Sequence, residues 1–430
     1  MRIAIIGTGI SGLGAAWLLH GAHDITVYEA DNRIGGHSHT VDIDYDGVDI
    51  PVDTGFIVYN EDNYPNLKAL FATLGVASEA SDMGFAVSTC KGSIEWGSQG
   101  LNAIFAQRRN LFRLEFLSTL FEIRKFNTCA PRDLTNGALD GLTLDAYLNQ
   151  HNYSKNFCDN YLFPMGGAIW SLPRSGMQNF PAESFVSFCH NHFLLSRDRP
   201  RWRTVSGGSR EYVRKLTAPF ADRIRINSSV VRISRSAGKV MVRDAHGDEA
   251  VYDRVIIAAH ADQALAMLDN PGRLERDILG HIKYAPNIAY VHRDASLMPK
   301  RRRVWSSWNY LSQDTSNQSL SVTYWMNRLQ NINDATPLFI TLNPAAPPRP
   351  DLTFTAIPYQ HVQYNMECLR AQRRLHQIQG NNNIWYCGAW TAYGFHEDGL
   401  QSGLTVAEQI GGLARPWGRP QTRTMLKAAE

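Results

Sequence analysis

Three glycines near the start of the chain have the type and spacing needed to hold phosphate groups. Gly7, Gly9 and Gly12 follow a short apolar run. At these places glycine allows a tight turn, a close approach of the backbone to a pyrophosphate, and close packing of a helix on a strand. Glu29 lies seventeen residues after Gly12 and is placed to accept a hydrogen bond from a ribose hydroxyl. The spacing predicts a dinucleotide site rather than an ordinary glycine-rich turn.

The elements around these glycines are those that such a site needs. The run Ile3–Ile6 is typical of a buried strand, and a helical pattern continues from the glycines through Leu19. A second strand pattern, Ile25–Tyr28, ends next to Glu29. The helix N-terminus, which includes Ser11, offers free N–H groups and positive partial charge to phosphates. Together they predict a strand, a turn, a helix and a second strand in the order of a nucleotide-binding fold.

The residues after Glu29 indicate which dinucleotide is bound. Ala30, Arg33, Gly35 and Gly36 complete the pattern E-A-x-x-R-x-G-G. This pattern resembles flavoproteins of the amine oxidase and phytoene desaturase superfamily, and NAD-dependent dehydrogenases lack it. The resemblance implies noncovalently held FAD, with the two glycines passing the flavin where a side chain would clash.

Two later segments resemble the same superfamily. Val230 matches a valine whose backbone faces the adenine, and the strand ending at Gly388 matches one that ends near the ribityl chain. Ala389 stands where the family usually has an acid, so either Glu397 or Asp398 substitutes for it or the cofactor is held more weakly. The N-terminus of the last helix is expected at the flavin pyrimidine ring. The cofactor-binding residues implied are Gly7, Gly9, Ser11, Gly12, Glu29, Arg33, Gly35, Gly36, His37, Ser38, Thr54, Gly55, Val230, Gly388, Asp398, Gly399 and Leu400.

The implied fold class is α/β, with a Rossmann-like FAD-binding domain and an interleaved substrate domain of mixed sheet plus helices. The FAD-binding domain is expected over residues 1–75, 205–265 and 380–415, the substrate domain over 76–204 and 266–379, and a loosely ordered tail over 416–430. Ser209 is the expected N-cap of a helix over Arg210–Pro219. The strand pattern Ser319–Met326 is expected to form the floor of the substrate cavity.

Composition limits the classes of function. The 430 residues carry a net charge of +3 and are 44% hydrophobic, which fits a large core and disfavours a nucleic-acid partner. Six scattered cysteines fit reduced thiols, and no metal site is expected from the histidine and cysteine spacing. Because no leader or apolar span is evident, a cytoplasmic location is expected, either free or peripheral to the inner membrane face.

Further motifs extend the resemblance from end to end. They are Gly36–Thr40, Asp53–Asn60, Asn63–Leu67, Trp202–Val205 and Tyr393–Gly399. They resemble a bacterial group of amine-oxidase-like NAD/FAD-binding proteins related to the N-terminal domain of plant cyclopropane fatty acid synthases. The association implies lipid metabolism, an apolar substrate such as an acyl chain, and a cyclopropane-fatty-acid-synthase-like enzyme as a partner.

Candidate catalytic residues flank the expected flavin. His37 follows the Gly-Gly turn, and Tyr393, His396 and Glu397 precede the last helix. Hydride removal that creates a C=C bond also needs a proton acceptor, which is the role considered for these polar groups. A structural role for the histidines is an equal alternative. Phe395 stands where amine oxidases carry one ring of an aromatic pair, and Trp390 and Tyr393 are the other candidate walls.

The sequence therefore favours an FAD-dependent oxidoreductase that transfers a hydride from an apolar, fatty-acyl or lipid-linked substrate to flavin N5. Amine oxidation by the same flavin chemistry is the first alternative. The second is a flavin-bearing partner of a lipid-modifying enzyme without turnover of its own.

Apolar and basic residues alternate over 101–127 in a pattern typical of an amphipathic helix. A core-facing helix is the favoured interpretation. Peripheral membrane contact through this segment is the alternative, with the basic run Lys300–Arg303 adding attraction for lipid headgroups.

Overall fold

The structure, a computed structural model, describes residues 1–170, 172–196, 200–236, 238–312, 321–411 and 413–419. Most of the expected tail over 416–430 and the start of the strand pattern Ser319–Met326 lie outside these residues. The strands are β1 Arg2–Ile6, β2 Asp24–Tyr28, β3 Thr40–Tyr45, β4 Val48–Asp53, β5 Tyr59–Asn60, β6 Ser78–Ala80, β7 Phe85–Thr89, β8 Ile94–Gly97, β9 Trp202–Val205, β10 Ile224–Arg225, β11 Val230–Ser236, β12 Lys239–Asp244, β13 Glu249–Tyr252, β14 Arg254–Ile257, β15 Lys283–His292, β16 Trp308–Leu311, β17 Ser321–Trp325, β18 Phe339–Leu342, β19 Thr353–Gln363 and β20 Ile384–Tyr386. The helices are α1 Ile10–Leu19, α2 Pro65–Leu74, α3 Leu101–Ile104, α4 Leu114–Thr135, α5 Leu144–Gln150, α6 Lys155–Phe157, α7 Phe163–Trp170, α8 Arg174–Gln178, α9 Ala182–Asn191, α10 Arg210–Thr217, α11 Ala261–Met267, α12 Arg273–Leu279, α13 Met326–Leu329, α14 Met366–Arg374 and α15 His396–Gly411.

A parallel sheet gathers strands from three distant parts of the chain. Its order is β10-β2-β1-β14-β20, and every neighbouring pair is parallel. Its central strands are almost wholly apolar because helices or a second sheet cover both faces. The predicted strand, turn, helix and second strand are observed as β1, α1 and β2. The α/β fold class is thereby confirmed.

Helices α1 and α15 pack directly against each other through glycine positions. A Cβ on Gly403 would overlap the carbonyl oxygen of Ser11, and one on Gly399 would lie 2.9 Å from the Ile10 side chain. A Cβ on Gly14 would lie 2.7 Å from Leu400. Because glycine has no side chain, α15 can approach α1 closely at these positions. This close packing brings the start of α15 to the phosphate-binding turn.

A second, mixed sheet lies in the other half of the molecule. Within the described residues its order is β19-β15-β18-β17-β16-β7-β8, antiparallel except for β16 against β7. Its strands come from residues 85–97 and 283–363, inside the segments expected for the substrate domain. The long helix α4 and the shorter helices α5 to α9 pack against it around Phe126, Phe157 and Phe185.

Two local predictions are corrected by the structure. Ser209 does not cap α10, because its backbone N–H and its hydroxyl both donate to the buried carboxylate of Asp53. Asp53 also accepts from Thr40 and Gln330, so it joins β4 to the start of α10. Residues 101–127 are not one helix, because a 3-10 turn over Arg108–Phe112 separates α3 from α4.

A buried histidine at the end of β15 makes stability depend on pH. His292 is fully buried, and its Nε2 lies 2.7 Å from the Thr341 hydroxyl. Burial lowers its pKa to about 4, partly opposed by Asp294. Acidification below pH 6.5 therefore protonates this histidine in the unfolded chain first, and stability falls as the pH decreases toward 4.

We expect His292→Gln to remove this part of the pH dependence, since glutamine does not titrate. Between pH 7.5 and 5 the wild type should lose about 2 kcal/mol more unfolding free energy than the variant. Urea unfolding at the two pH values measures the difference. His376→Gln, an exposed substitution, is the control and should behave like the wild type. Equal pH dependence in His292→Gln and the wild type would contradict the prediction.

Candidate active site and cofactor cavity

One cavity of about 1450 Å³ joins the two sheets. At one end its wall is the phosphate-binding turn, including Gly7, Gly9 and Ser11. At the other end Trp308 and Tyr324 line it from neighbouring strands β16 and β17, with their rings 5.4 Å apart edge to face. The mixed sheet therefore forms a wall of the cavity, as the strand pattern before Met326 predicts.

Gly9 faces open space in the cavity wall. A Cβ built on Gly9 meets no atom within 4 Å, although the residue lies at the start of α1 and lines the cavity. Gly36 lies directly beside it, and a Cβ there would be 3.0 Å from the Gly9 Cα. The two bare glycines leave a groove in front of the helix N-terminus, where backbone N–H groups bind phosphate.

Other predicted glycines hold the backbone together instead of opening the cavity. A Cβ on Gly12 would overlap the carbonyl oxygen of Gly7, and one on Gly55 would overlap that of His37. Gly35 has a φ of +111° and its Cβ would lie 2.7 Å from the Ser38 carbonyl oxygen. Their effect on a cofactor therefore acts through the shape of the turn.

Glu29 and Arg33 organise the walls around this groove. Glu29 lines the cavity, and its carboxylate accepts from the N–H groups of Thr8 and Asp31 at 3.0 and 2.9 Å. Arg33 donates to the carbonyl oxygen of Gly36 at 2.8 Å and does not line the cavity. Arg33 therefore supports the Gly-Gly turn, and Glu29 keeps lone pairs facing the place expected for a ribose.

The acids at the start of α15 require a correction. Glu397 does not line the cavity, and its carboxylate accepts from the backbone N–H groups of Asn66 and Leu67 at the start of α2. Asp398 accepts from the N–H of Phe395 at 2.9 Å and so caps its own helix. Burial raises the pKa of each carboxyl to about 7. Both acids satisfy helix ends, so neither takes the catalytic or cofactor-binding role expected from the sequence.

Gly399 and Leu400 are corrected for a related reason. Both are buried between α15 and α1, and neither lines the cavity. The helix N-terminus reaches the cavity through His396 instead.

His396, predicted to be catalytic, is held by its neighbours. Its Nε2 lies 2.6 Å from the Tyr212 hydroxyl and 3.2 Å from the Ser38 hydroxyl. Its ring stacks on Phe56 at 3.9 Å, and burial lowers its pKa to about 3. Ser38 itself is buried outside the cavity lining. This group gives the cavity a rigid, uncharged wall.

His37 has a different environment. It lines the cavity, and no hydrogen bond to its imidazole nitrogens is found among the described residues. Its ring lies against Tyr359 at 4.9 Å and His361 at 5.7 Å. Burial, with nearby His361 and His260, lowers its pKa well below 6.5, so it is neutral at pH 7. A neutral imidazole with a free nitrogen can accept a proton.

Aromatic rings close the cavity on the side of α9. Tyr393 and Phe395 line it, and Phe395 stacks on Phe188 at 4.6 Å. Trp390 also lines it, but its indole N–H donates to the Ala259 carbonyl oxygen and its ring joins the core. The aromatic wall therefore comes mainly from Tyr393 and Phe395.

The remaining predicted cofactor residues lie at the edge of the same cavity. Thr54 lines it and bonds to the Tyr359 hydroxyl at 2.7 Å. Val230, the first residue of β11, and Gly388, two residues after the end of β20, also line it.

Sequence reasoning missed a set of polar and aromatic wall residues contributed by strands of the mixed sheet and by loops. His260, in the loop after β14, stacks on Tyr284 at 4.2 Å, and its Nδ1 is buried without a hydrogen-bond partner among the described residues. No spacing pattern joins these residues, because they meet only after the sheet forms. They are His192, His260, Tyr284, Tyr359, His361 and Tyr364.

Comparison with known proteins places the chain. The model of the flavin-containing amine oxidoreductase family matches residues 10–306. The chain belongs to this family. Its relatives include tryptophan 2-monooxygenase of Pseudomonas savastanoi, 24% identical over 64% of this chain and 56% of the relative, and a probable zeta-carotene desaturase of Synechococcus elongatus, 22% identical over 63% and 59%. The alignments thus span less than two thirds of these relatives.

Solved structures share the fold of this chain. The alignment with a putrescine oxidase structure covers 95% of this chain and 99% of the other, with a TM-score of 0.68 and 15% identity. The alignment with a fatty acid isomerase from P. acnes covers 95% of this chain and 98% of the other, with a TM-score of 0.66 and 15% identity. At this identity the likeness establishes the fold.

Members of this family are FAD-dependent oxidoreductases, and the residues of this chain fit FAD. The groove at Gly9 and Gly36 suits the pyrophosphate, Glu29 the ribose, and the β11 segment at Val230 the adenine. Among the described lining residues there is no cysteine that would link the flavin covalently. When bound, FAD would supply the acceptor for a hydride, and the part of the chain would be to bind and orient the reactants.

The revised role of Glu397 has a direct test. We expect Glu397→Ala to lower the unfolding free energy by about 2–4 kcal/mol, since it leaves the buried N–H groups of Asn66 and Leu67 without an acceptor. The rate of flavin reduction per bound FAD should stay unchanged. Chemical unfolding and stopped-flow absorbance measure the two quantities. Glu367→Ala, an exposed acid in the first turn of α14, is the matched control. Slower flavin reduction without a stability loss would restore the catalytic role.

Proposed function

We propose that this FAD-dependent oxidoreductase dehydrogenates an apolar, fatty-acyl or lipid-linked substrate. The observation that carries the proposal is the character of the cavity wall beyond the cofactor groove, which is made of aromatic rings and neutral histidines. Burial lowers the pKa of His192 and His361 to about 4, and that of His37 and His260 below 6.5. A large wall of aromatic rings and neutral histidines favours a neutral hydrocarbon chain.

The distribution of charged groups supports the same substrate class. Among the described lining residues the carboxylates are Glu29 and Asp82, and they already accept hydrogen bonds from Thr8 and from Gln99. Arg201 also lines the cavity and is exposed, and its guanidinium group suits the carboxylate or phosphate end of a lipid. Arg203 lines it too but is already held by Glu61 and Ser78.

Dehydrogenation to a C=C bond needs two groups from the enzyme. One carbon loses a hydride to the bound flavin, and the neighbouring carbon loses a proton to a base. His37 is the best candidate for the base because it is neutral, lines the cavity and has free ring nitrogens. Tyr359 and His361 position its ring. Oxygen or another two-electron acceptor then returns the flavin to its oxidised state.

Relatives with known names support both the proposal and its main alternative. The matches include a probable zeta-carotene desaturase and a fold likeness to a fatty acid isomerase, both named for apolar substrates. They also include putrescine oxidase and cyclohexylamine oxidase, named for amines. The specific observation favouring amine oxidation is the aromatic wall of Tyr393 and Phe395 beside Phe188.

Anaerobic flavin reduction separates these functions. We expect the flavin band at about 450 nm to bleach with acyl lipids and to remain with a panel of primary amines. Mass spectrometry should find a product lighter by two hydrogen atoms. Bleaching by amines alone would establish the amine oxidase alternative. Tight lipid binding without bleaching would favour a flavin-bearing partner of a lipid-modifying enzyme, such as a cyclopropane-fatty-acid-synthase-like enzyme.

A further inference from the structure

An apolar surface patch lies on α3, the following 3-10 turn and the first half of α4. Of the thirteen large hydrophobic side chains that are exposed in the described residues, six lie within residues 101–121, and the other seven are scattered. Phe112 is 87% exposed, Leu114 82% and Phe121 70%. A cluster of this kind marks an interaction surface, whereas isolated exposed side chains do not. The patch consists of Leu101, Leu111, Phe112, Leu114, Leu117 and Phe121.

The core-facing interpretation of this segment therefore holds for one side of α4 only. The buried side of α4 carries Thr119, Glu122 and Phe126, and the Glu122 carboxylate accepts from Ser154. Leu114, Leu117 and Phe121 recur at helical spacing on the opposite side, toward solvent. The apolar stripe thus has no partner within the described part of the chain.

Positive charge surrounds the patch. Arg108, Arg109, Arg113 and Arg124 are exposed beside it, and none lies within 4 Å of a described carboxylate. Arg109 and Arg108 bond only to carbonyl or amide oxygens, which leaves their charge uncompensated. The 3-10 turn over Arg302–Val304 packs against α3 and adds further arginine.

We propose that this patch docks the protein on an anionic lipid bilayer. Phenylalanine and leucine side chains enter the boundary between headgroups and acyl chains, while the arginines bind phosphates. Pairing of two copies through the same patch is disfavoured, since it would bring the two sets of arginines together. No described helix is long and apolar enough to cross a membrane.

The helix that carries much of the patch also reaches the wall of the cavity. Asn127 lines the cavity and lies on α4 six residues past Phe121, a rise of about 9 Å along the helix. Docking through the patch therefore holds the cavity near the membrane surface. The proposal itself does not depend on which substrate the flavin oxidises.

Vesicle flotation of the purified, flavin-loaded protein tests the proposal. We expect flotation with vesicles of mixed phosphatidylglycerol and phosphatidylcholine at low salt, with weaker binding at high salt and to phosphatidylcholine alone. The double variant Phe112→Ser, Phe121→Ser should raise the apparent lipid dissociation constant at least about tenfold. Its flavin absorbance should match the wild type, because both side chains are exposed.

Two controls make the outcome decisive. The double variant Val251→Ser, Leu274→Ser removes exposed hydrophobic side chains from β13 and α12 and should float like the wild type. Arg113→Gln with Arg124→Gln should remove the preference for anionic lipid. The proposal is overturned if the wild type does not float, if both serine variants float equally, or if the Phe112 and Phe121 changes convert an oligomer into a monomer without lipid.

Discussion

Replacing Gly9 with tryptophan is expected to abolish FAD binding without unfolding the protein. Gly9 has a φ of −64° and a ψ of 171°, an ordinary extended conformation, so a side chain there is not strained. Its Cβ would meet no protein atom within 4 Å. The indole would instead fill the groove in front of the α1 N-terminus, where the pyrophosphate is expected. The ratio of flavin to protein absorbance should fall at least about tenfold.

The matched control for this variant is Gly21→Trp. Gly21 is exposed after α1, and a Cβ there also meets nothing within 4 Å. This variant should retain full flavin content, and thermal unfolding of the two apoproteins should coincide. A flavin-loaded Gly9→Trp protein would contradict the location of the cofactor. Loss of flavin from both variants would mean that tryptophan acts through stability.

Replacing His37 with alanine is expected to slow substrate-dependent flavin reduction by about 100-fold or more, the usual contribution of a general base. FAD content should remain near that of the wild type, because the backbone of Gly36 and His37 shapes the turn and the imidazole does not hold it. Anaerobic stopped-flow absorbance with an acyl lipid measures the rate. His192→Asn is the matched control, since His192 lines the same cavity but its Nδ1 is already bonded to the Phe188 carbonyl oxygen.

The pH profile gives a second test of His37. Burial and the neighbouring His361, His260, His396 and Arg33 hold its pKa well below 6.5. The reduction rate should therefore be constant above pH 6.5 and decline only in more acidic solution, where the imidazole gains a proton and can no longer accept one. Wild-type rates in His37→Ala, or equal losses in His37→Ala and His192→Asn, would exclude the assignment.

The cofactor-binding turn could be predicted because its determinants are local. Gly7, Gly9, Gly12 and Glu29 belong to one strand, helix and strand unit, so their sequence spacing sets their spatial relation. Gly36 lies next to Gly9 only a short loop later. Short connections leave few conformations open, and a contiguous motif therefore predicts both the fold of this unit and its ligand.

Residues at the start of α15 show where such reasoning fails. Spacing places Glu397, Asp398 and Leu400 near the flavin, but it does not say which side of the helix faces the cavity. The structure turns Glu397 toward the start of α2 and Leu400 toward Gly14, because unpaired helix N–H groups and glycine gaps were available there. The contacts that each side chain makes therefore depend on elements hundreds of residues away in the sequence.

The patch on α3 and α4 is a second case in which the sequence pattern does not decide which side of a helix is buried. The pattern over 101–127 shows apolar and basic residues at helical spacing, and this is compatible with both a core face and a surface face. Only the packing of α4, which buries Thr119 and Glu122 instead of Leu114 and Phe121, decides between them.

The amino-acid sequence by itself determined the family, the FAD cofactor and the α/β architecture, since these follow from short motifs and strand and helix periodicities within contiguous segments. The tertiary structure alone decided which side chains share the cavity. His37, His260 and His361 come from a turn, a loop and a strand, and they meet only because two sheets pack around one space. Their neutral state is likewise a tertiary property, because burial from water, and not residue type, lowers their pKa.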